Sequence, residues 1–262
     1  MSRLRAFDLV IFDWAGTMVD FGCRAPVAAI AAAFCARSVD VEEGVIRADM
    51  GKAKDDHIRA ILARPEIIAA WTKAIGSAPG EADVMAMMED LGPLMREAAA
   101  EAAELIPGAA QTVSALRAAG LKIASSTGYT RQMMSPVLTA AAAQGYAPDH
   151  LVCAGETPQG RPSPLMIYKA CAELGVWPLT RVVKVDDAEA GIAEGRAAGC
   201  FTVGVSACGN GVGLSQAALN SLDPTEKAER VAAVAKRLVA AGADLVIETV
   251  ADLVPALKGD VG

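Results

Sequence analysis

Short apolar runs alternate with longer helix-like stretches along most of the chain, and this alternation constrains the fold more than any other feature. The apolar runs read as strands at residues 9–12, 121–125, 151–154, 182–185, 202–205 and 245–247. Amphipathic helix patterns occupy residues 109–119, 131–144, 163–174, 190–198 and 225–241. Strands alternating with helices of this size form βαβ units. The sequence therefore predicts an α/β protein with a mostly parallel, doubly wound sheet.

Residues 21–104 break this alternation, because they hold several helix patterns and no convincing strand. Breaker residues divide the region into helices, namely Pro65, Gly76, Pro79-Gly80 and Gly92-Pro93. Pro107-Gly108 marks the return to the alternating pattern. We therefore expect a Rossmann-like core formed by residues 1–20 and 105–262. Residues 21–104, called the cap below, are expected to form an inserted helical domain.

Charge and hydropathy exclude several classes of protein. Hydrophobic residues make up 53% of the 262 residues, enough for a sizeable packed core. The net charge is -7 and no Lys/Arg run tracks a nucleic-acid backbone, so we expect no nucleic-acid partner. The longest apolar run, residues 26–36, is too short to span a bilayer, and Asp8 and Asp13 interrupt any signal-peptide pattern. A cytoplasmic protein without a membrane partner is expected. Six scattered cysteines and two histidines do not suggest zinc.

Polar residues follow the predicted strands where each strand ends. Asp13, Thr127 and the pair Asp186-Asp187 come directly after strand patterns, and Arg161 precedes a helix start. The carboxyl ends of parallel strands meet at one edge of a sheet, so one pocket can collect all five side chains. A lone Asp after a strand more often caps a helix. The complete ordered set favours a catalytic site.

These residue types suit attack on phosphorus. A carboxylate such as Asp13 can form an aspartyl-phosphate. Attack by one anion on another needs charge neutralisation, which Mg²⁺ held by carboxylates and a fixed cation such as Arg161 would provide. Thr127 can donate a hydrogen bond to a phosphoryl oxygen. The sequence therefore predicts Asp13 as a nucleophile that attacks phosphorus in a small metabolite.

The cap contributes a second candidate, in residues 50–57. Lys54 and His57 are three residues apart and therefore neighbours on one helical face. A lysine in an apolar pocket loses solvation, its pKa falls, and its neutral amine can attack a carbonyl. The alternative is a solvated charged face, which the surrounding K-x-K-D-D pattern favours when the segment is considered alone.

The strand-end residues together resemble the haloacid dehalogenase superfamily. Its D-x-D-G-T motif corresponds to residues 13–17, its Ser/Thr to Thr127, its Lys/Arg to Arg161, and its acidic pair to Asp186-Asp187. The resemblance implies that Asp13, the Ala15 carbonyl and Asp187 ligate Mg²⁺. Asp186 either ligates the ion directly or contacts one of the residues that do. Two positions depart from the pattern. Ala15 replaces the carboxylate that protonates the leaving oxygen of a phosphate ester, and Gly191 replaces an Asp that some relatives carry.

Five local motifs, the first of them at residues 13–17, are similar to the phosphonoacetaldehyde hydrolase (phosphonatase) family: D-W-A-G-T, G-C-x-A-P, M-G-x-x-K-x-D-H, S-T-G-Y-T-R and G-R-P-x-P. By this resemblance Lys54 is a Schiff-base lysine, and His57 transfers a proton or orients its neighbours. The residues expected to contact the substrate are Met50, Gly51, Tyr129, Gly128 and Cys23.

The resemblance implies a hydrolase that cleaves the carbon–phosphorus bond of phosphonoacetaldehyde to acetaldehyde and phosphate. The alternatives are a phosphatase or phosphomutase of the same superfamily, which Ala15 opposes, and a catalytically silent binding protein, which the retained Asp13 and Arg161 oppose. The expected partner is a small phosphonate. A homodimer is expected, with residues 26–35 as the candidate contact.

Overall fold

The computed structural model describes residues 3–259 and contains one sheet of six parallel strands. The strands are β1 Leu9–Phe12, β2 Lys122–Thr127, β3 His150–Cys153, β4 Val182–Asp186, β5 Phe201–Val205 and β6 Leu245–Ile247. Their spatial order is β3-β2-β1-β4-β5-β6. The chain therefore builds outward from β1 in one direction and then from β4 in the other, which confirms the predicted doubly wound fold. Predicted strand ends differ from these by two residues at most.

Helices connect the strands and cover both faces of the sheet. They are α1 Ala25–Cys35, α2 Glu43–Arg47, α3 Lys54–Leu62, α4 Pro65–Ile75, α5 Glu81–Glu101, α6 Ala109–Ala118, α7 Arg131–Ala143, α8 Leu165–Leu174, α9 Glu189–Ala198, α10 Gln216–Ser221, α11 Pro224–Ala240 and α12 Leu253–Lys258. The sequence patterns missed two of them, α10 and α12. Both are six residues long, too short for a helical period to stand out.

Alternate residues of β1 show how the two faces are used. Leu9 and Ile11 pack into an apolar cluster with α8, whereas Val10 and Phe12 belong to a larger cluster that includes residues of α6 and α7. All four side chains are fully buried. Burial on both faces explains why β1 is continuously apolar rather than alternating in polarity.

Residues 21–104 supply α1 to α5, as the helix patterns predicted. One prediction within this region is wrong: α5 continues through Gly92-Pro93 instead of ending there. Leu91 and Met95 are fully buried on the side that packs against α1 and α7. The helix loses one backbone hydrogen bond at Pro93, but Pro93 and Glu89 are exposed, so water can serve the freed carbonyl. Packing of the buried face therefore outweighs the local helix-breaking tendency.

The apolar face of α1 packs against other helices of the same chain. Val27, Ile30 and Phe34 are buried, and α1 packs against α5. What α1 exposes includes the small residues Ala28 and Ala32. The homodimer through residues 26–35 stays a prediction, and most of the apolar surface that suggested it is occupied. The division into core and cap domains also stays a prediction, since one apolar cluster joins α5 to α7.

Within residues 3–259, every helix is too short or too polar to cross a bilayer.

Candidate active site

A small cavity lies where the cap meets the carboxyl ends of the strands. It collects eleven of the residues that the sequence singled out, together with Ala188: Asp13, Ala15, Cys23, Met50, Gly51, Lys54, Thr127, Gly128, Tyr129, Arg161 and Asp187. β1 and β4 are adjacent although they are far apart in sequence, so the crevice between their ends is the switch point where α/β sheets bind ligands. Two predicted site residues, His57 and Asp186, do not line the cavity.

Asp13 follows β1 directly, and its backbone N–H donates to the carbonyl of Val185, which fixes it beside β4. Its Oδ1 lies 2.8 Å from Nη1 of Arg161. Burial and the nearby Asp186 carboxylate raise the pKa of Asp13, Arg161 and Lys184 oppose them, and the net result is a pKa of about 6. The carboxylate form therefore predominates at neutral pH. This form is the one that can act as a nucleophile.

Asp13, Asp186 and Asp187 form a buried acidic cluster whose ligand oxygens lie within 4.8 Å of one another. Asp187 accepts hydrogen bonds from the Thr17 hydroxyl at 3.2 Å and from the Asn210 N–H at 2.7 Å. Burial and the two other carboxylates raise the pKa of Asp187 well above its usual value. Such crowding of hard oxygen donors is the chemistry that Mg²⁺ prefers, so this cluster could hold a divalent metal.

The local charges also fit a bound cation. Among the described residues around these strand ends, the buried carboxyl groups are those of Asp13, Asp186, Asp187 and Glu194, and the buried cations are Arg161, Lys184 and Lys54. The carboxyl groups outnumber the cations in a region closed to water. A metal ion beside the acidic cluster would reduce this excess, because uncompensated buried charges are costly.

Lys54 enters the same cavity from the cap as the first residue of α3. Lys54 is 2% exposed, so the alternative that it belongs to a solvated charged face is wrong. Its Nζ lies 5.2 Å from the centre of the Tyr129 ring. Burial lowers the pKa of Lys54 from 10.5 to about 8. About one amine in ten is then neutral at pH 7, which provides a nucleophile for a carbonyl.

Tyr129 and Thr127 present hydroxyl groups beside these side chains. Within residues 3–259 the Tyr129 hydroxyl has no hydrogen-bond partner although it is buried. Burial raises the pKa of Tyr129 well above its usual value, so the group remains a hydrogen-bond donor. Thr127 is the last residue of β2 rather than the residue after it, and its Oγ1 accepts from the Tyr129 N–H at 3.2 Å. A buried donor without a partner is suited to a polar ligand.

His57 lies behind Lys54, outside the cavity lining. Its Nε2 is 2.7 Å from the carbonyl oxygen of Ile46, so Nε2 carries the proton and donates. Burial and the nearby Lys54 charge lower the pKa of His57 to about 3. The ring is therefore neutral at physiological pH. This geometry favours the orienting role predicted for His57 over proton transfer inside the cavity.

The cap closes tightly over the site. The cavity volume is ≈ 20 Å³, little more than one buried water molecule needs. Arg161 Nη1 lies 3.4 Å from the carbonyl oxygen of Gly51 in the cap. A Cβ atom at Gly128 would lie 2.4 Å from the carbonyl oxygen of Lys52, and one at Gly160 would lie 3.1 Å from the Ala53 side chain. Substrate entry therefore requires residues 50–54 to move away from the core.

Asp186 and Gly191 share one volume at the base of the site. A Cβ atom at Gly191 would lie 1.9 Å from Asp186 Oδ2. That oxygen also contacts Lys184 Nζ at 2.9 Å and Arg161 Nη1 at 3.4 Å. A carboxylate on the strand therefore fills the space that a side chain on α9 would need. The glycine that departs from the superfamily pattern is explained by the Asp186 carboxylate beside it.

The sequence reasoning missed the polar residues beneath the cavity. Lys184 in β4 and Glu194 in α9 are fully buried, and Ser126 in β2 contacts both of them. Lys184 offered one usable signal in the sequence, because a lysine inside an otherwise apolar parallel strand needs a buried partner.

Four features of the site together define a class of protein. They are a buried aspartate directly after β1, a hydroxyl group at the end of β2, a buried arginine and an acidic pair at the end of β4. A helical insertion after β1 accompanies them. The class is the haloacid dehalogenase-like hydrolases, whose family model matches residues 7–199. Among curated relatives, the phosphonoacetaldehyde hydrolase of Paraburkholderia phytofirmans is 46% identical, covering 94% of this chain and 92% of its own. The Bacillus cereus enzyme of that name is 41% identical, covering 94% and 93%.

A solved structure from Oleispira antarctica, described as a phosphonoacetaldehyde hydrolase-like protein, superposes with a TM-score of 0.94 at 37% identity. It covers 97% of this chain, and the match spans 93% of that protein. This chain therefore belongs to the phosphonoacetaldehyde hydrolase family and is an enzyme of the hydrolase class. The likeness extends through the cap as well as the core.

Replacement of Gly128 by Ala tests the tight contact between cap and core. The added methyl group would press on the Lys52 carbonyl, so closure over the cavity should be incomplete and kcat/KM should fall roughly tenfold to a hundredfold. The melting temperature should change little. Gly44→Ala is the control, because nothing lies within 4 Å of a Cβ atom there. Equal activity of the two variants would contradict the closed arrangement.

An exchange of Asp186 and Gly191 tests their shared volume. Gly191→Asp alone crowds two carboxylates together, and Asp186→Gly alone deprives Lys184 and Arg161 of a buried partner. Each single change should destabilise the protein by about 2–4 kcal/mol. The double variant should recover a large part of that loss, which denaturant unfolding of all four proteins measures. Losses that simply add would show that the two positions are independent.

Proposed function

We propose that the protein hydrolyses phosphonoacetaldehyde to acetaldehyde and phosphate, through an imine on Lys54 and a phosphoryl group transferred to Asp13. One observation carries the proposal: a desolvated cap lysine and a core carboxylate line the same closed cavity, where Ala15 leaves no acid for an ester oxygen. The names of the relatives support the activity. A phosphatase or phosphomutase would leave the burial of Lys54 unexplained.

Lys54 performs the first step. Its neutral amine attacks the aldehyde carbon, and loss of water gives an imine that is protonated at nitrogen. The low pKa of Lys54 supplies the neutral amine, and Tyr129 is placed to donate a hydrogen bond to the reacting oxygen. The positively charged imine can accept the electron pair of the carbon–phosphorus bond. Without the imine, that pair would have to move into the aldehyde carbonyl and form an anionic enolate, which is a poorer leaving group than the neutral enamine.

Asp13 performs the second step. Its carboxylate attacks phosphorus, the carbon–phosphorus bond breaks, and the electron pair moves into the two-carbon fragment to form an enamine on Lys54. Arg161, which contacts Asp13 at 2.8 Å, neutralises charge on the phosphoryl oxygens, and Thr127 can donate a hydrogen bond to one of them. A proton then adds to the enamine carbon. One water molecule cleaves the resulting imine to acetaldehyde and another releases phosphate from Asp13; the water lost in forming the imine offsets one of them.

Asp13, Asp186 and Asp187, with the Ala15 carbonyl, are the residues we propose to hold Mg²⁺. Bound there, the ion would screen the approach of the Asp13 carboxylate to a phosphonate dianion. The other cavity residues form the walls of the substrate pocket: Cys23, Met50, Gly51 and Gly128. The small phosphonate is the proposed partner. The homodimer and the cytoplasmic location stay predictions.

Reductive trapping tests the imine. Borohydride added with phosphonoacetaldehyde should leave a covalent two-carbon adduct on the peptide that contains Lys54, detected by mass spectrometry. The trapping rate should rise with pH through about 8, because the neutral amine is the reactive form. Lys54→Met should abolish the adduct and lower kcat/KM roughly a thousandfold or more.

Lys52→Met is the matched control, since Lys52 is partly exposed and paired with Asp49 at 2.6 Å. It should retain both the adduct and most of the activity. An adduct that persists in Lys54→Met, or unimpaired turnover by that variant, would contradict the proposed mechanism.

A further inference from the structure

A group of fully buried polar side chains lies beneath Arg161, on the side away from the cavity. Glu194 on α9 and Lys184 in β4 are 0% exposed, and neither lines the cavity. Ser126 of β2 lies between them. Elements from three separate parts of the chain therefore supply charged or polar groups to one point behind the arginine.

Glu194 holds one edge of the Arg161 guanidinium. Its Oε2 accepts from Arg161 Nε at 3.0 Å and from the Ser126 hydroxyl at 3.1 Å. Arg161 Nη2 donates to the carbonyl oxygen of Ser126 at 2.5 Å and to its hydroxyl at 3.1 Å. These contacts occupy Nε and Nη2. The remaining nitrogen, Nη1, is directed to Asp13 at 2.8 Å.

Lys184 fixes Glu194 in turn. Its Nζ lies 3.3 Å from Glu194 Oε2, 2.9 Å from the Ser126 hydroxyl and 2.9 Å from Asp186 Oδ2. A buried ion pair seldom adds net stability over apolar side chains of similar size. Stability alone therefore does not explain why Glu194 and Lys184 are charged. What their contacts do is hold the planar guanidinium of Arg161 in a single orientation.

We propose that Glu194 is a positioning residue, which with Lys184 and Ser126 holds Arg161 so that Nη1 faces the phosphoryl group above Asp13. The inference rests on the proposed function, because it takes Arg161 as the cation that binds the phosphoryl oxygens. An arginine oriented before substrate arrives does not lose side-chain freedom during the reaction. Glu194 touches no reacting atom and acts only through Arg161.

The test is a double-mutant cycle on Glu194 and Arg161, read by inhibition with inorganic phosphate and by kcat/KM. Glu194→Gln keeps the shape of the side chain and removes its charge. It should weaken phosphate inhibition about tenfold and lower kcat/KM by at least as much. Adding Glu194→Gln to Arg161→Met should cause no further loss. Unchanged inhibition in Glu194→Gln, or losses that add in full, would overturn the proposal.

Two controls separate positioning from stability. Glu156→Gln removes a partly exposed pair with Arg131 and should leave phosphate inhibition unchanged. Lys184→Met combined with Glu194→Gln removes one buried charge of each sign and should restore the melting temperature. If phosphate inhibition stays weak in that folded double variant, positioning is supported. If inhibition recovers with stability, the role is structural and the proposal is overturned, a decision that does not require Arg161→Met to fold.

If the proposed function is wrong, the same phosphate-inhibition measurements give a different result. Arg161→Met with normal phosphate inhibition would refute the role assigned to Arg161 itself. Failure of the Glu194 inference alone would show an impaired Arg161→Met beside an unimpaired Glu194→Gln.

Discussion

The buried Arg161 guanidinium is the interaction on which the rest of the structure depends. It contacts the Asp13 carboxylate, the Glu194 carboxylate and the Gly51 carbonyl of the cap, and the residue is 3% exposed. A charge removed from water costs several kcal/mol unless partners surround it. The parallel sheet supplies such partners because β1, β2 and β4 end side by side. Closing the cap then completes the arrangement with a backbone acceptor.

The chemistry follows from the same exclusion of water. Burial moves the pKa of Lys54 down to about 8 and that of Asp13 up to about 6. The lysine gains a neutral fraction, while the aspartate keeps its charge at neutral pH. In the proposed mechanism these two groups are the nucleophiles of one small cavity, with the neutral amine attacking the carbonyl and the carboxylate attacking phosphorus. On an open surface, either group would return toward its usual pKa. Closure of the cap is therefore what gives both groups their reactive protonation states.

Strand periodicity and polar residues at strand ends are local signals, so the sequence predicted the sheet and the residues that the strand ends bring to the cavity. Lys54 was different, since its own segment favoured a solvated face and only the family resemblance indicated burial. Glu194 was missed because nothing local marks a mid-helix glutamate as buried. The continuous helix through Pro93 was also mispredicted, since tertiary packing outweighed a local breaker. The sequence also gave no reason for the glycine at position 191, because the Asp186 carboxylate that fills the space beside it is brought there only by the fold.

The most direct test of the central claim compares phosphonoacetaldehyde with glycolaldehyde phosphate, an aldehyde whose phosphorus is held through an ester oxygen. The two substrates offer the same carbonyl to Lys54, but only the ester needs the acid that Ala15 cannot supply. Release of phosphate from each substrate, followed by ³¹P NMR, should show kcat/KM about a hundredfold or more higher for the phosphonate. Equal or faster hydrolysis of the ester would contradict a site built to break carbon–phosphorus bonds.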